Sequence, residues 1–289
     1  MSEPVPTRDH ALVEASSTGG SGGESTGTVV VATRRPATAA PARRSTGRND
    51  GVGWRVDRAV RIEVWSDVVC PWCYIGKRRL EAALERFLHR DEVEVVWRSF
   101  QLDPSVPEGE THALLPVLAA KYGRSPEEAR AMVRSVEETA VGEGLEYHLA
   151  DGIGGNTLLA HELIHLAAER GLQGAVKERL LHAYFEEARS VFDVDALVPL
   201  AVEAGLQEDE VRAALADHRY RAAVLEDIRT AQALGATGVP FFVVDRRYGA
   251  AGAQPADLLL QLLERAWADA HPLVTVPAAD GCDGDSCAV

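Results

Sequence analysis

The hydrophobic period switches twice between residues 60 and 100. Arg61-Ile62-Glu63-Val64-Trp65-Ser66 alternates polar and apolar positions, the period of a half-buried strand. From Gly76 to Leu88 the apolar residues Leu80, Leu84, Phe87 and Leu88 share one face of a helix. Val93-Glu94-Val95-Val96-Trp97-Arg98-Ser99-Phe100 then reads as a second strand. Strand, helix, strand is the opening of a parallel or mixed α/β sheet.

From about 110 to 235 the pattern is almost wholly helical. Leu159, Leu163 and Leu166 form one stripe, Val176, Leu180 and Tyr184 another, and Tyr220, Val224, Ile228 and Ala231 a third. Gly171, Gly205 and Gly235 fall where such helices end in a left-handed residue. Sheet patterning resumes at Pro240: Phe241 to Val244 predicts a strand, Asp245 to Gly249 a turn, and Ala250 to Ala253 a short return strand. Pro255 opens a last helix with Leu259, Leu262, Leu263 and Ala266 on its buried side. The spacing describes an α/β fold interrupted by a long helical block. No internal repeat is visible.

The flanks differ from this core. Residues 1–58 are rich in Gly, Ser, Thr, Ala, Pro and Arg without a sustained period, as in Ser17-Thr18-Gly19-Gly20-Ser21-Gly22-Gly23. Such a stretch buries too little apolar surface to offset its chain entropy, so it reads as disordered, or as the product of a start assigned too far upstream. Beyond Pro272 the chain is again Gly- and Asp-rich and reads as flexible. No apolar run approaches the ~18 residues of a membrane span. Thr28-Val29-Val30-Val31-Ala32 is shorter than the ~7–15 residues of a secretory h-region, which makes the cytoplasm the expected compartment. The net charge of −14 disfavours nucleic acid and anionic membranes as partners, since both repel an acidic surface.

The chain has four cysteines, in two close pairs: Cys70 with Cys73, and Cys282 with Cys287. Four in 289 residues do not make a structural disulfide framework. Cys70-Pro71-Trp72-Cys73 lies between the first strand and the amphipathic helix, with Pro71 at the first helical position. That places the Cys70 sulfur among the free N–H groups of a helix N-terminus, which favour a thiolate. Cys73, one turn on, is spaced to attack a mixed disulfide at Cys70, while Pro71 constrains the turn and Trp72 shapes the adjoining surface. The same residues allow half of a zinc ribbon completed by Cys282 and Cys287, or two inert buried thiols. Thr237-Gly238-Val239-Pro240 stands immediately before a strand, where Pro is sterically allowed. It reads as a plain loop boundary or as a cis Val239–Pro240 bond facing the dithiol and exposing the Val239 backbone to an extended peptide.

Taken in order, several blocks resemble the FrnE-like branch of the DsbA family. They are Ile62 to Lys77 with its Cys-Pro-Trp-Cys, Val96-Trp97-Arg98-Ser99-Phe100-Gln101-Leu102, Gly155-Asn156-Thr157, Thr237-Gly238-Val239-Pro240-Phe241-Phe242, and Gly249 to Gln254 with its following helix. The resemblance spans about 60 to 270. It implies a thioredoxin fold with an inserted all-helical domain: 60–103 and 236–271 as the two parts of the thioredoxin-like domain, 104–235 as the insert, 1–58 as the extension and 272–289 as a Cys-containing tail. It implies a cis Pro240, Cys70 as nucleophile and Cys73 as resolving thiol. The activity implied is protein disulfide oxidoreduction, with thiol- or disulfide-containing proteins or small molecules as partners. No metal and no resident cofactor are expected; glutathione enters at most as a thiol substrate.

The family often has Phe where Leu158 stands and Arg where Glu162 stands, departures that bear on substrate rather than on dithiol chemistry. Asn156 either lines the cleft near Cys70, as the resemblance implies, or caps a helix. His161 reads as a packed or solvated helix residue, with a catalytic role as the lesser reading. A glutathione-dependent transferase or isomerase on the same fold, in which Cys73 is dispensable, is the rival function; a non-catalytic redox-regulated binding module is a third. In the tail, Gly284 lets Cys282 and Cys287 meet, so this pair is either a redox relay to Cys70 or two incidental thiols.

Overall fold

The computed structural model describes residues 59–273 together with Val30–Val31. Its main sheet has five strands in the order β1-β7-β6-β2-β3: β1 Val30–Val31, β2 Val60–Ser66, β3 Val93–Ser99, β6 Phe241–Val244 and β7 Tyr248–Ala251. β2 and β3 are parallel, joined by the helix α1 (Pro71–Arg86); the other pairings are antiparallel. The last helix, α9 (Ala256–Ala270), follows β7 and packs beside α1. Val30–Val31 lies within the stretch expected to be disordered and instead adds an edge strand along Gly249 and Tyr248; residues 32–58 fall outside the described ones.

Alternation along β2 explains the layering. Val60, Ile62 and Val64 are fully buried in the main apolar core, which also takes Leu80 of α1, Phe242 and Val244 of β6, and Leu259 and Leu263 of α9. Trp65 points to the opposite face, where its indole N–H donates to the Asp227 carbonyl of α8 (Arg221–Ala233) at 2.8 Å. On that same face Arg98 of β3 bridges the buried Glu63 and Asp227 carboxylates.

Between β3 and β6 the described chain forms α2 (Leu114–Tyr122), α3 (Pro126–Val141), α4 (Leu158–Glu169), α5 (Gln173–Phe185), α6 (Val194–Glu203), α7 (Glu208–Ala216) and α8. This insert is helical apart from a ribbon of two three-residue strands, β4 (Thr111–Ala113) and β5 (Ile153–Gly155). Gly171, Gly205 and Gly235 have φ of 69°, 100° and 85°, the left-handed turns expected at helix ends. α3 begins with a full capping box, in which Ser125 and Glu128 satisfy each other's backbone N–H groups.

Register positions the site. Trp65 pairs with Phe241, so Pro240 stands beside Ser66 at the C-terminal end of β2. Ser66 pairs with Ser99, which brings Gln101 and Leu102 to the same end. The dithiol turn leaves the sheet here, and the insert closes over it.

Candidate active site

Cys70 is the N-cap of α1, with an extended backbone (φ −87°, ψ 114°), and Pro71 takes the first helical position. The Cys73 amide donates to the Cys70 carbonyl at 3.0 Å, closing the turn. Both cysteines are free thiols and both are buried, whereas Trp72 is 36% exposed on the rim. The Val239–Pro240 peptide bond is cis, and the Cys70 thiol donates to the Val239 carbonyl at 3.5 Å. Sequence-distant Val239 and Pro240 thus form the wall opposite the dithiol. α1 meets this wall at Gly76, where a Cβ would stand 2.9 Å from Pro240 Cγ.

A helix N-terminus predicts a lowered Cys70 thiol. In the reduced pair the direction is reversed: the hydrogen bond with Cys73, burial, and the nearby Cys73 and Asp67 charges push Cys70 well up. Burial also raises Cys73, yet the net effect there is downward. The Cys70 hydrogen bond, the Lys177 ammonium and the buried Ser66 hydroxyl, which has no other hydrogen-bond partner, all favour its thiolate. The pair is thus polarised, with the Cys70 thiolate disfavoured and the Cys73 thiolate favoured.

The groups that impose this polarity were not singled out as site residues by the sequence. Asp67, three residues before Cys70, is buried and accepts from the amides of Val68 (2.7 Å) and Leu102 (2.8 Å) and from His161 Nε2 (3.2 Å). Burial raises its carboxyl, but the hydrogen bond from His161, the Leu102 amide and the Lys177 ammonium bring it below the ordinary value. Lys177 of α5 is itself buried; desolvation pulls its ammonium down to about 8 against the pull of Cys73, Asp67 and Cys70. Tyr147 is stacked on Phe185 at 4.5 Å and donates its hydroxyl to the Pro71 carbonyl at 2.9 Å. Tyr122, at the end of α2, has its phenol raised by burial and by the Cys70 charge.

Asn156 is buried. Its Oδ1 accepts from Gln101 Nε2 (3.0 Å) and the Leu158 amide (2.9 Å), and its Nδ2 donates to the Val106 carbonyl (2.6 Å). It ties the loop after β3 to the start of α4, and its polar atoms are engaged in that task. Glu162, where the resemblance favours Arg, is buried against His218 (3.2 Å) and Arg221 (3.5 Å). Among the described residues no three His, Cys, Asp or Glu side chains come together as a metal-holding group. Cys282 and Cys287 lie outside the described residues.

A dithiol at a helix N-terminus, opposite a cis proline in a four-strand βαβ–ββα frame, defines a thioredoxin-like protein. The profile of the DSBA-like thioredoxin domain matches residues 61–264, and the chain belongs to that family. A probable DsbA oxidoreductase from Streptomyces coelicolor is 49% identical, with 80% of this chain and 99% of that one superposed at a TM-score of 0.71. The uncharacterized protein YwbO of Bacillus subtilis is 31% identical over 187 residues, 64% of this chain and 86% of the relative. The cytosolic disulfide reductase DsbM of Pseudomonas aeruginosa, solved with GSH, shares the fold at 19% identity and a TM-score of 0.52, over 72% of this chain and 98% of that one.

Proposed function

We propose that the chain is a thiol–disulfide oxidoreductase in which Cys70 attacks and Cys73 resolves. The observation that carries this reading is the polarised dithiol facing Val239: two free cysteines in one helical turn, one of them 3.5 Å from the backbone of the opposite wall. As a reductant, Cys70 passes its proton across the pair to Cys73 and attacks a substrate disulfide R–S–S–R′. A Cys70–S–S–R bond forms and R′S⁻ leaves. Cys73 passes the proton it took from Cys70 to the departing R′S⁻ and then attacks Cys70 as a thiolate favoured by the Lys177 ammonium; the Cys70–Cys73 disulfide forms and RS⁻ leaves, so two electrons pass to the substrate. Two molecules of glutathione, leaving as its disulfide, or one cellular dithiol, leaving as a cyclic disulfide, restore the reduced pair. The oxidised protein runs the same steps in reverse. Val239 offers its backbone to an extended substrate, and Trp72 its ring.

No helix among the described residues is long and apolar enough to cross a membrane. The cytoplasm as compartment, and thiol or disulfide proteins or small molecules as partners, belong to this proposal. So does a relay role for Cys282 and Cys287, for which Cys282→Ser/Cys287→Ser should slow turnover or move the equilibrium of the 70/73 pair with glutathione; identical values in both assays would remove the tail from the mechanism.

For the dithiol itself, Cys70→Ser is expected to abolish insulin reduction and Cys73→Ser to trap mixed disulfides. Normal turnover in Cys70→Ser would refute the proposal. The glutathione-dependent transferase or isomerase alternative instead predicts full activity without Cys73.

A further inference from the structure

His161 is a buried titratable group that the exchange steps above leave unused. It lies on the inner face of α4 and is 1% exposed. Its Nε2 is 3.2 Å from Asp67 Oδ1, and its Nδ1 has no hydrogen-bond partner among the described residues. A carboxylate only accepts, so Nε2 carries the hydrogen and the bond runs from imidazole to Asp67. A second proton on Nδ1 would bury an unpaired donor, and burial accordingly lowers the imidazole below its ordinary value. The ring is therefore a neutral donor. The charged and titratable groups facing it are Asp67 from the turn before α1, Lys177 from α5 and His165 from its own helix.

Asp67 is built into the dithiol turn, since its carbonyl accepts from the Cys70 amide at 3.5 Å. Its side chain is anchored by two backbone amides and by His161. The amides hold the carboxylate from the sheet side, and His161 is the side-chain donor contributed by the insert.

We infer that His161 is a positioning residue that keeps an ionised Asp67 beneath the Cys70 turn, and that this fixed anion biases the dithiol toward giving up its electrons. The inference rests on the dithiol reading and adds a direction to it. Oxidation converts a dithiol that can ionise into a disulfide that cannot, with two electrons passing to the substrate disulfide. A neighbouring carboxylate disfavours the charged reduced form and so favours that step. Lys177 opposes this bias, since its ammonium favours negative charge on Cys73 and Cys70 alike.

The test uses the full chain carrying Cys282→Ser/Cys287→Ser, so that only the 70/73 pair titrates. Thiolate absorbance near 240 nm against pH and the equilibrium with reduced and oxidised glutathione are measured for Asp67→Asn, His161→Leu and His161→Gln. For the Asn and Leu variants the thiolate midpoint should fall by about one pH unit. The equilibrium should move about tenfold toward the dithiol, about 30 mV. His161→Gln restores an N–H donor and should return both readouts toward those of the parent. A merely structural His161 would lower stability without moving either readout. Leu and parent curves that superimpose, or a Gln variant indistinguishable from Leu, would overturn the inference.

Should the Leu variant not fold, long-range ¹H–¹⁵N spectra of the native chain decide instead. A neutral Nε2–H ring from pH 5 to 8 is expected, and a ring protonated at pH 7 would overturn the assignment. A dead Cys70→Ser variant with unmoved titrations would sink His161 alone. An active Cys70→Ser variant would sink the dithiol reading and leave the titration shifts standing.

Discussion

Gly76 is where α1 touches the Pro240 wall. A methyl group there would meet Pro240 Cγ at 2.9 Å and Phe242 Cζ at 3.3 Å. Gly76→Ala should cost about 1–3 kcal/mol by overpacking and should slow disulfide exchange by moving the wall off Cys70. Urea unfolding and insulin reduction measured on the same preparation check both effects. Lys177→Met removes the cation beside Cys73. The thiolate midpoint should then rise by about one pH unit, the opposite sign to the Asp67→Asn shift, because an opposite charge at short range stabilises a thiolate. At this scale the sequence was unevenly informative. Cys70, Cys73, Val239 and Pro240 belong to short contiguous patterns whose chemistry can be read directly. Asp67, Tyr147, His161 and Lys177 acquire their roles only when α4, α5 and the segment between α3 and β5 fold over the turn. His161 in particular sits among Leu158, Leu163 and Ile164, where helical period alone reads it as packing.

Among the elements, α1 carries most of the site's mechanical load. Tyr74, Lys77 and Arg78 on its inner side all engage Glu178 of α5, which joins the thioredoxin part to the insert. Burial raises the Glu178 carboxyl, but Arg78, Lys77 and Tyr74 pull it down to about 2. Because the folded value lies below the ordinary one, its contribution is present above about pH 4.5 and is lost as pH falls toward 2. Unfolding free energy should therefore decline across that window, and Glu178→Gln should flatten the decline; equal slopes for parent and variant would exclude the ion cluster as its source. β2, β3, β6 and α1 were legible because their periods are clean. β7 begins at Tyr248, two residues before the expected Ala250, since Asp245 and Arg246 adopt φ of 49° and 55° and complete the turn early. The β4–β5 ribbon was not legible: three-residue strands such as Thr111-His112-Ala113 are too short to show alternation.

For the whole molecule, the insert is the decisive feature. The thioredoxin part supplies Cys70, Cys73 and Pro240, and the insert supplies Tyr147, His161 and Lys177, so the charge state of the dithiol depends on how the two parts meet. The order of motifs along the chain announced this architecture, but not which insert residues reach the sulfurs. The account rests on one chemical claim, that Cys70 forms the bond to substrate and Cys73 breaks it. The most direct measurement is mass spectrometry of alkylated full-length Cys73→Ser, with Cys282 and Cys287 also replaced by Ser, after exposure to oxidised glutathione. The account predicts a stable glutathione mixed disulfide on Cys70 and loss of turnover. Full turnover with an unmodified Cys70 would contradict it.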